Sequence, residues 1–252
     1  MSELPYLSIV VPAYNEARRL PPTLDALTKF CGEFTFAWEV WIVVEPSVDG
    51  TLEIATAHAA KQANFHVLSR SEHRGKGAAV RAGMLRARGA HVFYMDADLS
   101  VPLAEVPRFL AHFAAHPEID LLLGNRAHAK SRIIQRQALL RRTMGQMFNR
   151  VLLALGISTL HDTQCGFKAF RRAAAQSIFS RQEIDGFAFD VEVLALADIL
   201  GHLTADLPVE WINSPESKVH IVSDSLAMLW DVWRIRRNLP IADPVDSALR
   251  EK

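Results

Sequence analysis

The first half of the chain alternates short apolar runs with longer stretches of helical periodicity. The runs are rich in branched and aromatic residues and are bounded by polar residues, glycine or proline, which is typical of short buried strands. The predicted strands are residues 7–11, 38–44, 65–68, 92–95 and 120–123. The helices predicted between them are residues 20–30, 52–63, 78–88 and 103–115, with Thr51 and Ser100 as expected N-caps.

Regular alternation of strands and helices predicts an α/β fold, a mostly parallel sheet with helices on both faces. In such sheets ligands bind outside the carboxyl ends of the strands. The polar residues that directly follow each predicted strand are therefore the first candidates for a functional site.

The second half follows a less regular pattern. It predicts a long helix over 136–155, a strand over 163–170, a helix over 189–200, a strand over 207–213 and a helix over 222–237. No linker-like composition separates the halves, so we expect one domain over residues 1–252. Within it, residues 1–124 form the first half, residues 125–221 the second, and residues 222–252 an amphipathic C-terminal helix and tail.

Composition narrows the class of protein only slightly. The chain has 28 basic and 28 acidic residues, and this balance gives no indication of a nucleic-acid partner. The two cysteines lack metal-ligand spacing and fit free thiols in a reducing compartment. Without a signal-like start or a spanning apolar stretch, the expected location is cytoplasmic, either free or at a membrane surface.

The clearest chemical signal follows the fourth predicted strand. Asp96 and Asp98 flank Ala97 where the apolar run ends. Two neighbouring carboxylates favour a divalent cation, Mg²⁺ or Mn²⁺, held between them and a diphosphate. The pattern is short, and a solvated turn in which Asp98 caps the next helix explains it equally well. Position and residue type leave both interpretations open.

The first predicted strand also ends in candidate ligands. Tyr14 could lie against a nucleobase, while Asn15 or Glu16 could bind its edge or the ribose. An ordinary strand-to-helix loop capped by Asn15 would produce the same residues, and spacing alone does not separate the two.

Several segments together resemble a known family. Residues 11–16, 74–77 and 96–98 occur in the order found in family 2 glycosyltransferases of the GT-A fold. Residues 124–128, 135–136, 162–168 and 189–192 resemble the dolichyl-phosphate β-glucosyltransferase branch. The string Asp-Thr-Gln-Cys-Gly-Phe-Lys at 162–168 is long enough to be specific, and the resemblance runs from about residue 7 to residue 218.

The resemblance implies a UDP-sugar donor and assigns residues to its binding. The implied nucleotide-sugar residues are Pro12, Ala13, Tyr14, Glu16, Glu45, Lys76, Asp96, Ala97 and Asp98. One position departs from the family pattern, in which the second strand usually ends in an acidic pair with an Asp on the uracil. Here the run is one residue shorter and begins at Glu45, which we expect to accept the base N–H instead; the base itself is left in doubt.

The expected acceptor residues are arginines. Arg126, Arg132 and Arg136 lie in a basic segment, and guanidinium groups suit phosphate oxygens. In relatives this region holds the phosphate of a polyprenyl-phosphate acceptor, with Arg126 and Arg136 as the best matches. Asp190 matches a carboxylate near the acceptor and would be the general base if the acceptor were a hydroxyl. The solvated face of a basic helix is the alternative explanation of the arginines.

These assignments together predict a metal-dependent, inverting transfer of a hexose, with glucose as the expected sugar, to a polyprenyl phosphate. The alternatives are a hydroxyl acceptor, a GDP-mannose donor, or a non-catalytic nucleotide-sugar-binding protein at a membrane surface. In the C-terminal helix, Leu229, Trp230 and Trp233 share a stripe beside several arginines, which fits either a membrane interface or packing on the domain.

Overall fold

The computed structural model describes residues 4–135, 152, 162–212 and 221–239. The strands are β1 Leu7–Ala13, β2 Trp38–Val44, β3 Phe65–Ser69, β4 His91–Met95, β5 Leu121–Asn125, β6 Arg132–Gln135, β7 Phe167–Arg171, β8 Thr204–Pro208 and β9 Glu210–Ile212. The helices are α1 Leu20–Gly32, α2 Thr51–Ala59, α3 Lys76–Met84, α4 Glu105–Ala115, α5 Arg172–Phe179, α6 Phe189–Ile199 and α7 Ile221–Asn238.

Seven strands form one sheet in the order β3-β2-β1-β4-β7-β5-β8. Strand β7 runs antiparallel to both of its neighbours, and the other pairs are parallel. The predicted mostly parallel sheet is therefore confirmed, with one reversed strand inside it. Strands β6 and β9 pair separately as a parallel ribbon.

Helices cover both faces of the sheet because successive strand residues point to opposite sides. Along β1, Ile9 and Val11 pack in the core beneath α1, α2 and α4, whereas Val10 packs in the core beneath α3, α5, α6 and α7. Both layers are apolar and closely packed, so the polar residues at the strand ends are held by a rigid scaffold.

Several local predictions need correction. The strand expected over 163–170 begins at Phe167, and the residues before it form a turn. The strand expected over 207–213 is two strands in different sheets, because the chain leaves the main sheet at Pro208. Helix α5 and strand β6 were not predicted.

The predicted caps also differ from the structure. Helix α4 begins at Glu105 after Ala104, so Ser100 is not its N-cap. Thr51 is the first residue of α2 rather than its cap. The long helix expected over 136–155 falls, apart from residue 152, outside the described residues.

Candidate active site

Side chains join the loops that follow β1 and β2. The amide of Asn15 donates to Ser47 Oγ at 3.0 Å, and Asn15 Oδ1 accepts from the amide of Val48 at 3.0 Å. The amide of Glu16 donates to Thr51 Oγ1 at 2.7 Å. Asn15 adopts a positive φ of 51°, which asparagine tolerates better than most residues. These bonds fix the first loop at the carboxyl end of the sheet.

Arg19 connects this loop to the Asp-Ala-Asp turn. Its guanidinium donates to both carboxylate oxygens of Glu16, one at 2.6 Å, and its Nη1 lies 3.5 Å from Asp98 Oδ2. Burial opposes the charge, but Glu16 and Asp98 raise the pKa of Arg19 above its usual value. Arg19 was not predicted from the sequence; its place three residues after Glu16 was the available signal.

Asp96 lies where three segments of the chain meet. Lys76 Nζ, at the start of α3, is 2.5 Å from Asp96 Oδ1. The amide of Asp96 donates to the carbonyl of Gly166 at 3.2 Å. A Cβ on Gly166 would lie 2.5 Å from Asp96 Cγ, so a larger residue would fit only if this carboxylate moved. Burial opposes the ammonium charge, and Asp96 followed by Asp190 raises the pKa of Lys76.

The turn itself is held in a defined conformation. Asp98 Oδ1 accepts the amide of Ser100 at 3.0 Å, and the carbonyl of Ala97 accepts Thr23 Oγ1 at 2.6 Å. Leu99 has a positive φ of 49°. Asp98 therefore organises the loop with one carboxylate oxygen and lies near the Arg19 guanidinium with the other.

The donor set fits magnesium or manganese. Both cations prefer carboxylate, phosphate and water oxygens, and they bind proteins through one or two carboxylates plus substrate phosphates. Asp96 and Asp98 supply such oxygens, and Gly166 keeps the space beside Asp96 clear. Among the described residues no cluster of three or more histidine, cysteine or acidic ligands occurs.

The remaining donor-side predictions lie along β1 and around it. Ala13 is buried, and its carbonyl accepts the amide of Glu45 at 3.0 Å. Pro12 pairs with Val43 within the sheet. Tyr14 is partly exposed and stacks on His73, with ring centroids 4.1 Å apart and planes inclined by 19°. His73 was not predicted from the sequence.

Glu45 is buried and already surrounded by nitrogen atoms. Its Oε2 accepts the amides of Arg74 at 2.7 Å and Gly75 at 3.2 Å and lies 2.8 Å from His73 Nδ1. Arg70 Nε lies 2.8 Å from Oε1 in an ion pair outside hydrogen-bond geometry. Base recognition by Glu45 stays a prediction that these contacts do not test.

Arg126, a predicted acceptor residue, forms an ion pair with Asp162. Its Nε and Nη2 bind the two oxygens of Asp162 at 2.8 and 2.7 Å, and its amide donates to the same carboxylate at 2.7 Å. The guanidinium lies 5.8 Å from the ring centroid of Trp211. Burial opposes both charges, yet Arg126 lowers the pKa of Asp162, and Asp162, with a smaller contribution from Asp96, raises the pKa of Arg126.

Arg132, the second predicted arginine, makes a separate contact. Arg132, on β6, has a side chain that is 80% exposed and pairs loosely with Glu210 at 3.8 Å. Arg136 lies outside the described residues. Their roles toward an acceptor phosphate remain predictions.

Asp190 lies in the first turn of α6, under the site rather than in its opening. Its Oδ1 accepts from Tyr94 Oη and from Lys168 Nζ, and Lys168 also donates to the carbonyl of Cys165 at 2.8 Å. The side chains of Lys168 and Asp190 are 0% and 4% exposed. Burial and then Asp190 raise the pKa of Tyr94 well above its usual value, so the phenol remains a donor to this carboxylate.

The fold is that of GT-A glycosyltransferases, and solved structures agree. Glucosyl-3-phosphoglycerate synthase from Mycobacterium tuberculosis superposes with a TM-score of 0.69 at 19% identity, covering 94% of this chain and 82% of that one. A complex of the same enzyme with Mn²⁺, UDP-glucose and phosphoglyceric acid gives a TM-score of 0.65 at 18% identity, covering 95% and 81%. At this identity the likeness establishes the fold.

Sequence comparison establishes the family. The profile of Glycosyl transferase family 2 matches residues 8–179, and the chain belongs to this family. The dolichyl-phosphate beta-glucosyltransferase of Dictyostelium discoideum is 35% identical over 92% of this chain and 74% of its own length. The enzymes of the same name from Drosophila melanogaster and Saccharomyces cerevisiae are 34% and 31% identical, covering 84% and 92% of this chain and 69% and 74% of their own lengths.

Proposed function

We propose that this glycosyltransferase moves glucose, with inversion, from UDP-glucose to a polyprenyl or dolichyl phosphate. One observation carries the proposal: the 162–168 string, specific to the β-glucosyltransferase resemblance, folds directly onto the Asp-Ala-Asp turn. Gly166 packs against Asp96, and Asp162 binds the guanidinium of Arg126. One short segment thus contacts both a residue expected to bind the donor and a residue expected to bind the acceptor. The relatives named dolichyl-phosphate beta-glucosyltransferase support this choice of sugar and acceptor.

The donor side supplies positive charge for a leaving diphosphate. Mg²⁺ or Mn²⁺ on Asp96 and Asp98 would neutralise the charge that develops on the departing UDP. Lys76 adds an ammonium beside the same carboxylate, where the neighbouring acids keep it protonated. Tyr14 stacked on His73 offers an aromatic surface for the nucleobase.

The acceptor side is suited to a phosphate. Arg126 uses two of its five N–H groups on Asp162, which leaves three outside this ion pair and fixes the plane of the guanidinium. A phosphate oxygen of the acceptor forms a bond to the anomeric carbon from one face. The bond from that carbon to the diphosphate oxygen breaks on the other face, and UDP leaves with the bonding electrons.

Asp190 supports a phosphate acceptor over a hydroxyl. A hydroxyl must lose a proton to a base, whereas a phosphate monoester is already ionised at neutral pH. Asp190 is buried and accepts from both Lys168 and Tyr94. We assign it to holding these groups beneath the site rather than to proton abstraction.

A membrane surface is the natural location of such an acceptor. No helix in the described ranges is both long and apolar enough to cross a bilayer. On α7, Trp230 and Trp233 are 60% and 47% exposed and stack on each other, and Arg237 lies 5.3 Å from the Trp233 ring. Exposed tryptophans beside arginines suit the cytoplasmic face of an anionic membrane.

The proposal is tested by incubating the protein with radiolabelled UDP- and GDP-sugars, manganese and a short polyprenyl phosphate. We expect lipid-linked product from UDP-glucose, with at least about 10-fold less from GDP-mannose, and loss of product with excess chelator. The variant Asp98→Ala should fold normally and lose transfer by about 10²-fold or more, since charge stabilisation at the leaving group is removed. Full activity of this variant, or in chelator, would disprove the metal site.

A further inference from the structure

The segment that links β3 to α3 carries Lys76 into the site and is held from two sides. On one side, Glu45 at the end of β2 accepts the amides of Arg74 and Gly75. On the other, Arg74 Nη2 lies 2.6 Å from Asp185 Oδ2, and a Cβ on Gly75 would be 2.6 Å from the carbonyl oxygen of Asp185. Lys76 follows immediately as the first residue of α3.

The conformation of this segment is one that needs external support. Gly75 has a φ of 119°, a backbone region open to glycine and rarely to other residues. Because Gly75 precedes α3, its angle sets the direction in which the helix begins and hence where Lys76 points. The two amides next to this bend are the ones that Glu45 binds.

We infer that Glu45 is a positioning residue for the donor: its carboxylate holds the 70–75 segment so that Lys76 reaches the diphosphate side of the site and His73 lies on Tyr14. The inference rests on the proposed nucleotide-sugar donor and adds a role for a residue expected to bind the base. Four nitrogen contacts to a buried carboxylate support holding the segment as its main task.

A carboxylate suits this task better than its amide. Two backbone N–H groups, a histidine and an arginine all face the Glu45 oxygens. In Glu45→Gln one oxygen becomes an NH₂ group, which accepts no hydrogen bond and points its own hydrogens at other donors. Either a backbone amide loses its partner or the guanidinium of Arg70 faces an amide nitrogen, and both outcomes loosen the segment.

The same strand provides a matched control. Glu39, near the other end of β2, is also a buried carboxylate. It accepts Ser8 Oγ at 2.6 Å and the amide of Arg88 at 2.7 Å, and His66 lies 3.7 Å away. Glu39→Gln therefore perturbs a similar buried network, but at the amino ends of the strands, away from the site.

The first measurement is amide hydrogen exchange on the ligand-free proteins. In Glu45→Gln we expect exchange at the amides of Arg74 and Gly75 to rise by at least about 10-fold, while thermal unfolding shifts no more than in Glu39→Gln. Glu39→Gln should leave both amides unchanged. Unchanged exchange at Arg74 and Gly75 in Glu45→Gln would overturn the inference, whatever the protein binds.

The second measurement is UDP binding by calorimetry with manganese present, for wild type, Glu45→Gln, Lys76→Met and the double variant. We expect Glu45→Gln to lower the affinity for UDP about 10-fold when Lys76 is present. In the Lys76→Met background the same change should lower it no more than about 2-fold, because Glu45 acts through the contact of Lys76 with the diphosphate. Additive effects in this cycle would contradict positioning through Lys76.

UDP methylated at N3 of uracil separates positioning from base recognition. If Glu45 positions the segment, the ratio of affinities for UDP and its N3-methyl form is the same in Glu45→Gln as in wild type. Loss of that discrimination would show that Glu45 binds the base N–H and would refute the positioning role. Failure of the wild type to bind UDP would instead refute the proposed donor, and the exchange experiment would still decide the role of Glu45.

Discussion

Replacing Gly166 by alanine tests whether the 162–168 turn shapes the Asp96 site. The new Cβ would come closest to Asp96 Oδ2 and would lie 2.5 Å from Asp96 Cγ. Non-bonded carbon atoms pack at about 3.5 Å, so the carboxylate must move by at least roughly 1 Å. The Asp96 side chain is partly exposed and can turn outward, which keeps the effect on folding small.

The expected effect falls on catalysis. A displacement of about 1 Å in a group that holds a reacting centre can cost about 10²-fold in rate, which corresponds to about 2.7 kcal/mol of transition-state stabilisation. The free energy of unfolding should change by less than about 1 kcal/mol, because alanine also reduces the entropy of the unfolded chain. Manganese affinity in the presence of UDP should fall together with kcat/KM.

The assay compares kcat/KM for glucosyl transfer, manganese affinity and thermal unfolding in wild type, Gly166→Ala and Gly186→Ala. Gly186 is the matched control, because a Cβ there would meet only Asp231 Oδ2 at 3.5 Å, an ordinary contact. The control should stay within about 2-fold of wild type, as expected for a substitution that meets no close contact. Wild-type kcat/KM and manganese affinity in Gly166→Ala would refute the idea that this turn positions Asp96.

Two further predictions concern the acceptor. Arg126→Lys should lower kcat/KM for polyprenyl phosphate at least about 10-fold, since lysine cannot reproduce the bidentate contact with Asp162. The KM for UDP-glucose should stay within about 2-fold of wild type. Equal losses for both substrates in steady-state assays would contradict this prediction. Replacing Trp230 and Trp233 together by alanine should abolish sedimentation with anionic vesicles but spare transfer to a water-soluble short-chain acceptor, whereas Leu203→Ala, also exposed, should change neither. Undiminished vesicle binding by the tryptophan variant would argue against a membrane role for α7.

The first half of the fold was predictable because its signals are local. Each of the first five strands is a compact apolar run, and the carboxyl ends of parallel strands necessarily lie at one edge. Tyr14 and Asp96, which follow two of these strands, could therefore be placed at the same edge of the sheet from the sequence alone. The insertion of β7 between β4 and β5 was not predictable in this way, because strand order depends on contacts distant in sequence.

Helix α5 was missed, and the orientation of α7 was left open, for separate reasons. Helix α5 follows Arg171 with the residues Arg-Ala-Ala-Ala-Gln-Ser-Ile-Phe, and its alanines were an available helix signal. On α7 the residues that pack on the core are Met228, Val232 and Ile235, whereas the predicted stripe of Leu229, Trp230 and Trp233 faces outward. Periodicity identifies the apolar positions of a helix, and tertiary packing decides which of them are covered.

Charge pairing was the least predictable part of the site. Asp190 and Glu45 were assigned by their position within the family pattern, and both turn out to be buried and engaged by partners. Lys168 belongs to the 162–168 string, but neither this lysine nor His73 could be identified from the sequence as a partner of these carboxylates. The role of a carboxylate depends on which cations and amides face it, and these partners are brought together only by the fold.

The anomeric configuration of the product tests the central claim most directly. The protein would be incubated with UDP-α-glucose, manganese and a short polyprenyl phosphate, and the lipid product examined by phosphorus-coupled proton NMR. We predict a single β-linked glucosyl phosphate, formed only when the lipid phosphate is present. An α-linked product, or glucose transferred to a hydroxyl group in place of the phosphate, would contradict the proposed function.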